Sequence, residues 1–112
     1  QCDWSSDVCS SDLGCDMAKL TDQEIVTALK TLDGWTLRDG KLHREYRFPD
    51  FGYAMGFMMA AAPSIERNNH HPEWANVYNR VSVDLMTHDA GGVTQKDVEL
   101  AALLEGLAKR LQ

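Results

Sequence analysis

Beyond position 16 the chain has no cysteine: Cys2, Cys9 and Cys15 are its only three, and all fall in the first 16 residues. The remainder therefore has no disulfide framework and no thiolate metal centre, and must be held together by burial alone. Also absent is any run of about 20 apolar residues, so no helix is expected to span a membrane. Nor is there an excess of basic residues. Eleven lysines and arginines stand against 17 acidic residues, for a formal charge of -6. That balance offers no footprint for phosphate backbones or anionic lipid, and direct nucleic-acid binding is not expected. No basic start leads into a short apolar stretch, as a signal peptide would require. Cytoplasm is the expected compartment.

The first 16 residues, QCDWSSDVCSSDLGCD, repeat Ser-Ser-Asp and contain four aspartates but no basic residue. They read as a non-native or disordered leader, with residues 17–112 as the domain. Removing those four aspartates from the formal -6 leaves -2, close to neutral. With 44% hydrophobic and 25% charged residues, the composition is that of an ordinary globular protein. A domain this small buries a limited fraction of its surface, so association between copies would help it.

Thr21 and Glu24 form a capping box, and Ile25, Val26, Leu29 and Leu32 recur at helical spacing, which predicts a first helix over 22–32. Trp35 to Arg38, Asp39-Gly40 and Lys41 to Phe48 read as strand, tight turn and strand. A second helix is expected over 51–69, with Phe51, Met55, Met58, Met59, Ala62 and Ile65 sharing a face. Tyr53, Ala54, Phe57, Ala60 and Ala61 fill its other sides. A helix apolar nearly all round needs cover on more than one side, which points to contact between subunits. Pro63 inside it predicts a kink or a fresh helical start. Trp74 to Tyr78 and Val81 to His88 read as strands joined at Asn79-Arg80, and Thr94 with Asp97 caps a last helix. The order α-β-β-α-β-β-α predicts an α+β domain, a four-stranded antiparallel sheet with three helices packed on one face.

The stretch from Glu66 to Trp74 concentrates His70, His71 and a carboxylate where a helix meets a strand. Glu66 and His70, four residues apart, would share a helical face, and the carboxylate would then fix the tautomer of His70. Pro72 biases His71 away from helical geometry, so the two rings are expected to splay apart. His88 is expected on the strand face opposite Val81, Val83 and Leu85. His43 falls with Lys41, Glu45 and Arg47 on a polar strand face, and reads as solvated. Paired histidines can also do no more than end a helix. His70, His71, His88 and Glu66 are competent metal ligands, but the histidine spacing of i, i+4 that catalytic zinc recruits on a helix is missing. No metal is expected. Trp35 and Trp74 are candidates for the wall of a pocket, although tryptophan more often fills a core. Asp97 reads as a capping carboxylate.

Glu66-x-x-x-His70-His71-Pro72-x-Trp74, followed by Asn76-Val-Tyr78-Asn79, Thr87-His88 and Asp97, resembles the pterin carbinolamine dehydratase family. Gly34-Trp35, Asp50-Phe51 and Gly56-Phe57-Met58 extend the likeness over about residues 20–111. Asn69 departs from the aspartate that many members carry there. The resemblance implies dehydration of a 4a-hydroxytetrahydropterin to quinonoid dihydropterin, in support of tetrahydropterin recycling. It also implies catalytic His70, His71 and His88, no metal or cofactor, and tetramers built from strand-edge dimers. Glu66, Trp35 and Trp74 are then the expected substrate-binding residues. Some members also stabilise dimers of a transcription factor, so a role as an interaction module, which would not need the histidines, is a competing reading. A zinc-dependent hydrolase or isomerase is the third.

Overall fold

The computed structural model describes residues 18–112, and the expected leader lies outside the described residues. The elements follow as α1 (Asp22–Leu29), β1 (Thr36–Arg38), β2 (Lys41–Arg47), α2 (Phe51–Asn68), β3 (Glu73–Val77), β4 (Arg80–Leu85) and α3 (Gln95–Leu111), with a short 3-10 turn, His88–Ala90, before α3. This is the α+β order read from the sequence. The four strands form one antiparallel sheet in the order β1-β2-β4-β3.

The capping box that opens α1 is formed in both directions. Glu24 N–H donates to Thr21 Oγ1 at 3.2 Å, and Thr21 N–H to Glu24 Oε1 at 2.8 Å. The helix ends at Leu29 rather than at Leu32. The N–H groups of Lys30, Thr31 and Leu32 reach back only three residues, so the last turn tightens out of α geometry. Leu32 still reaches the core.

Both hairpins have two-residue turns. Between β1 and β2 the turn is Asp39-Gly40, with φ of 53° and 76°, the mirror-image geometry whose twist matches that of the flanking strands. Between β3 and β4 it is Tyr78-Asn79, one residue earlier than expected. Asn76 Nδ2 donates to the carbonyls of Tyr78 and Arg80, and so supports Tyr78 at φ 52°. Asn79 ties the turn to Phe48: its Nδ2 donates to the Phe48 carbonyl, and its own carbonyl accepts from Phe48 N–H.

Alternation along the strands sorts the two faces of the sheet. Leu42, Tyr46, Val81, Val83 and Leu85 are buried under the helices. Lys41, His43, Glu45, Ser82 and Asp84 take the opposite face, which is crossed by the Lys41–Glu73 ion pair and the His43–Asp84 hydrogen bond. His43 is therefore paired rather than simply solvated.

In α2 the inward residues are Ala54, Phe57, Ala61 and Ile65, so of the face read from the sequence only Ile65 is buried. Phe57 stacks within 5.2 Å of both Tyr46 and Phe48, and small Ala54 and Ala61 let the helix axis approach the sheet. Phe51, Tyr53 and Met59 remain 48%, 48% and 67% exposed. The helix runs as one element through Pro63, which lies on its exposed side. Among the described residues no helix is long and apolar enough to cross a membrane.

Candidate active site

The chain changes direction at Asn69, which closes α2 in the left-handed conformation at φ 50°. Asparagine is one of the few residues that takes this conformation readily. Asn69 N–H bonds to the Glu66 carbonyl and His70 N–H to that of Ile65, so the helix ends one residue before His70. This overturns the expected pairing of Glu66 with His70. The carboxylate meets the next ring instead, with Glu66 Oε1 3.1 Å from His71 Nε2.

The His70 side chain is largely buried and turns toward α3, where its Nε2 lies 2.5 Å from Asp97 Oδ1. Asp97 has no exposed surface. Its Oδ2 accepts from Thr87 Oγ1 at 2.9 Å and from Thr94 N–H at 2.8 Å, while the two threonine hydroxyls meet at 2.7 Å. A carboxylate taken from water is tolerable only when its lone pairs are met in this way. Asp97 thus caps α3, as the sequence suggests, and also holds His70.

His88 does not continue β4. Beyond Leu85 only an isolated bridge, Thr87 with Gly92, remains of the ladder, and the 3-10 turn starting at His88 closes on Gly91 at φ 73°. A ladder cannot continue through a turn whose N–H groups return to Thr87 and His88. The His88 ring is 74% exposed, with Nε2 3.4 Å from Glu73 Oε2.

His70, His71 and His88 all line one cleft of about 330 Å³, together with Asn69, Thr87 and Lys96. That volume lies at the lower end of the range for small-molecule sites. Each ring turns its Nε2 toward a different carboxylate: His70 to Asp97, His71 to Glu66, His88 to Glu73. No hydrogen bond among the described residues engages Nδ1 of these three rings, which leaves that nitrogen to meet a ligand. An imidazole with one ring nitrogen engaged can use the other to donate or accept a hydrogen bond. His70 and Lys96 also line a second cleft of about 230 Å³ walled by Leu100 and Leu103, so the His70 ring stands between the two.

Trp35 and Trp74 do not join the histidine cleft. Trp35 is 4% exposed, stands edge-on to Tyr46 at 6.3 Å and donates its indole N–H to Glu105 at 3.2 Å. The sequence reads Trp35 as a pocket wall; within this chain it packs in the core, and its bond to Glu105 ties the residue before β1 to α3. Trp74, paired with Val83 across β3 and β4, is partly buried against that same core. Sequence reasoning missed Lys96 and Glu73. Lys96 carries a weak signal, as the residue next to Asp97; Glu73 carries none beyond its nearness to His71.

Comparison with known proteins finds relatives of this chain. The family model described as pterin 4 alpha carbinolamine dehydratase matches residues 18–107. A Solibacter usitatus protein provisionally named pterin-4-alpha-carbinolamine dehydratase is 60% identical over 90 residues, covering 80% of this chain and 95% of its own. A Burkholderia cenocepacia protein with the same provisional name is 49% identical over 96 residues, covering 84% and 94%. Among solved structures, a Brucella melitensis protein described as a transcriptional coactivator/pterin dehydratase superposes with a TM-score of 0.78 at 46% identity, covering 80% of this chain and 98% of that one.

Proposed function

This chain belongs to the pterin 4 alpha carbinolamine dehydratase family, and from that membership we propose that it is a hydro-lyase that converts a 4a-hydroxytetrahydropterin to quinonoid dihydropterin by histidine acid/base catalysis. The C4a–O bond breaks, the hydroxyl takes a proton and leaves as water, and a ring nitrogen gives up its proton as the new double bond forms. One group must donate and another must accept, each contributing about 100-fold to 10,000-fold in rate.

The observation that carries this reading is the shared cleft, in which three imidazoles are each backed by a separate carboxylate. His71 and His88 are the proton-transfer pair, since both rings are more than half exposed to an incoming substrate. His70, pinned to buried Asp97, binds and orients the pterin. Glu66 acts through His71. The enzyme works in the cytoplasm, in tetrahydropterin recycling, as a tetramer whose subunits meet in part through the exposed apolar residues of α2.

The test is turnover of a freshly generated carbinolamine by His71→Ala and His88→Ala. Each should fall about 100-fold or more, with the size of the assembly unchanged. Wild-type turnover in both would refute the mechanism. A second reading is favoured by the same exposed α2 residues and by the description of the Brucella melitensis structure as a coactivator. In it, this helix docks on a protein partner, and both histidine variants would retain that docking.

A further inference from the structure

His88 is the least constrained of the three rings. It sits on a short turn, 74% of its side chain is exposed, and a ring so placed samples several rotamers unless a partner selects one. Glu73 is in position to do so. It opens β3 two residues after His71, and its carboxylate is divided between two nitrogen partners. Oε1 accepts from Lys41 Nζ at 2.6 Å, while Oε2 faces His88 Nε2 at 3.4 Å. Lys41 opens β2, Glu73 opens β3 and His88 follows β4, so three strands bring their ends together here.

The neighbouring carboxylate has a hydrogen-bond partner of its own. Asp84, opposite Glu73 across the strands, is taken by His43 Nδ1 at 2.8 Å. The bond to Lys41 fixes which way the Glu73 carboxylate is turned, and the same bond is the first cause of a Lys41 pKa raised above the ordinary lysine value. Glu73 also belongs to the segment that carries His70 and His71. Its contact with His88 therefore links the segment of the adjacent pair to the third ring.

We propose that Glu73 is a positioning residue for His88, with Lys41 holding the Glu73 carboxylate in the direction that this requires. The inference rests on the proton-transfer role of His88 proposed above. At 3.4 Å and with both groups exposed, the contact is too long for a strong hydrogen bond, which limits its effect to about fivefold.

The experiment uses the full chain and compares Glu73→Gln, Lys41→Met, the double variant and His88→Ala for kcat and KM, with long-range 15N spectra of the histidine rings. Glu73→Gln should lower kcat about fivefold with KM unchanged. Lys41→Met should lower it less, and the double variant should be no worse than Glu73→Gln. The His88 ring signals should move in Glu73→Gln while those of His70 stay. Full kcat in Glu73→Gln, beside a crippled His88→Ala, would overturn this inference and leave the acid/base reading standing. Full turnover in His88→Ala would overturn the role of His88 itself. Unmoved His88 ring signals in Glu73→Gln would overturn the positioning role whatever the kinetics.

Discussion

Asp97 and His70, 27 residues apart in sequence, are joined at 2.5 Å through a carboxylate with no exposed surface. The same side chain also accepts from Thr87 and Thr94, so it ties α3, the end of β4 and the end of α2 together. Replacing it by asparagine keeps the shape but removes the charge, and turns one acceptor into a donor facing other donors. Asp97→Asn should lose about 2 to 3 kcal/mol of stability, the cost of leaving such groups unmet. Urea unfolding checks this. Turnover should fall by about tenfold or more even where the variant is fully folded, because His70 loses its anchor.

Glu66 and His71 make the opposite case. Their contact is 3.1 Å long, but the side chains are 83% and 55% exposed. Water competes for both groups, and exposed pairs of this kind contribute about 0 to 1 kcal/mol. Glu66→Gln should therefore leave the denaturation midpoint within error and change kcat by no more than about threefold. A loss comparable to that of Asp97→Asn would show that substrate binding buries this pair.

Much of this architecture is legible in the sequence, and the parts that are not have identifiable causes. The alternation of Val81, Val83 and Leu85 and the Asp39-Gly40 turn specify the sheet, because each has a period or a φ requirement that few alternatives share. The inward face of α2 has no such signature. Nearly every position there is apolar, and the choice of Ala54, Phe57, Ala61 and Ile65 is made by what fits against Tyr46 and Phe48. Helical spacing points Glu66 at the wrong ring for a local reason: the backbone leaves the helix at Asn69, before His70 is reached. Asp97 is visible as a cap, but its second partner comes from a contact that no local pattern encodes.

Tyr46 supplies a pH dependence. Its hydroxyl is buried and donates to Glu105 Oε1 at 2.7 Å, beside the Trp35 indole N–H. Burial first, and then the hydrogen bond to Glu105, push its phenol well above the ordinary tyrosine value of 10.0. Ionisation in the fold would set a second negative charge against Glu105. Because the folded state holds this proton more tightly than the unfolded one, the stability it contributes is complete below about pH 10 and declines as pH rises further. The urea midpoint should thus fall above about pH 10. Tyr46→Phe should start about 1 to 2 kcal/mol lower and lose less over the same alkaline range.

The exposed side of α2 bears on assembly. Phe51, Tyr53 and Met59 lie 48%, 48% and 67% exposed on a helix whose opposite side is already buried in the core. Covering one such partly exposed side chain is worth about 1 to 2 kcal/mol, and a self-associating face repeats that gain in every subunit, so one well-placed charge should be enough to prevent association. Met59→Glu places a carboxylate at the most exposed of the three, where pairing would have to strip its water. Wild-type protein at micromolar concentration should elute as a tetramer, and Met59→Glu as a smaller species with an unchanged circular dichroism spectrum. Since the three histidines and their carboxylates all come from one subunit, the variant should retain turnover per chain. A wild-type monomer on sizing would refute the assembly, and a dissociated but inactive Met59→Glu would show that a second subunit completes the cleft.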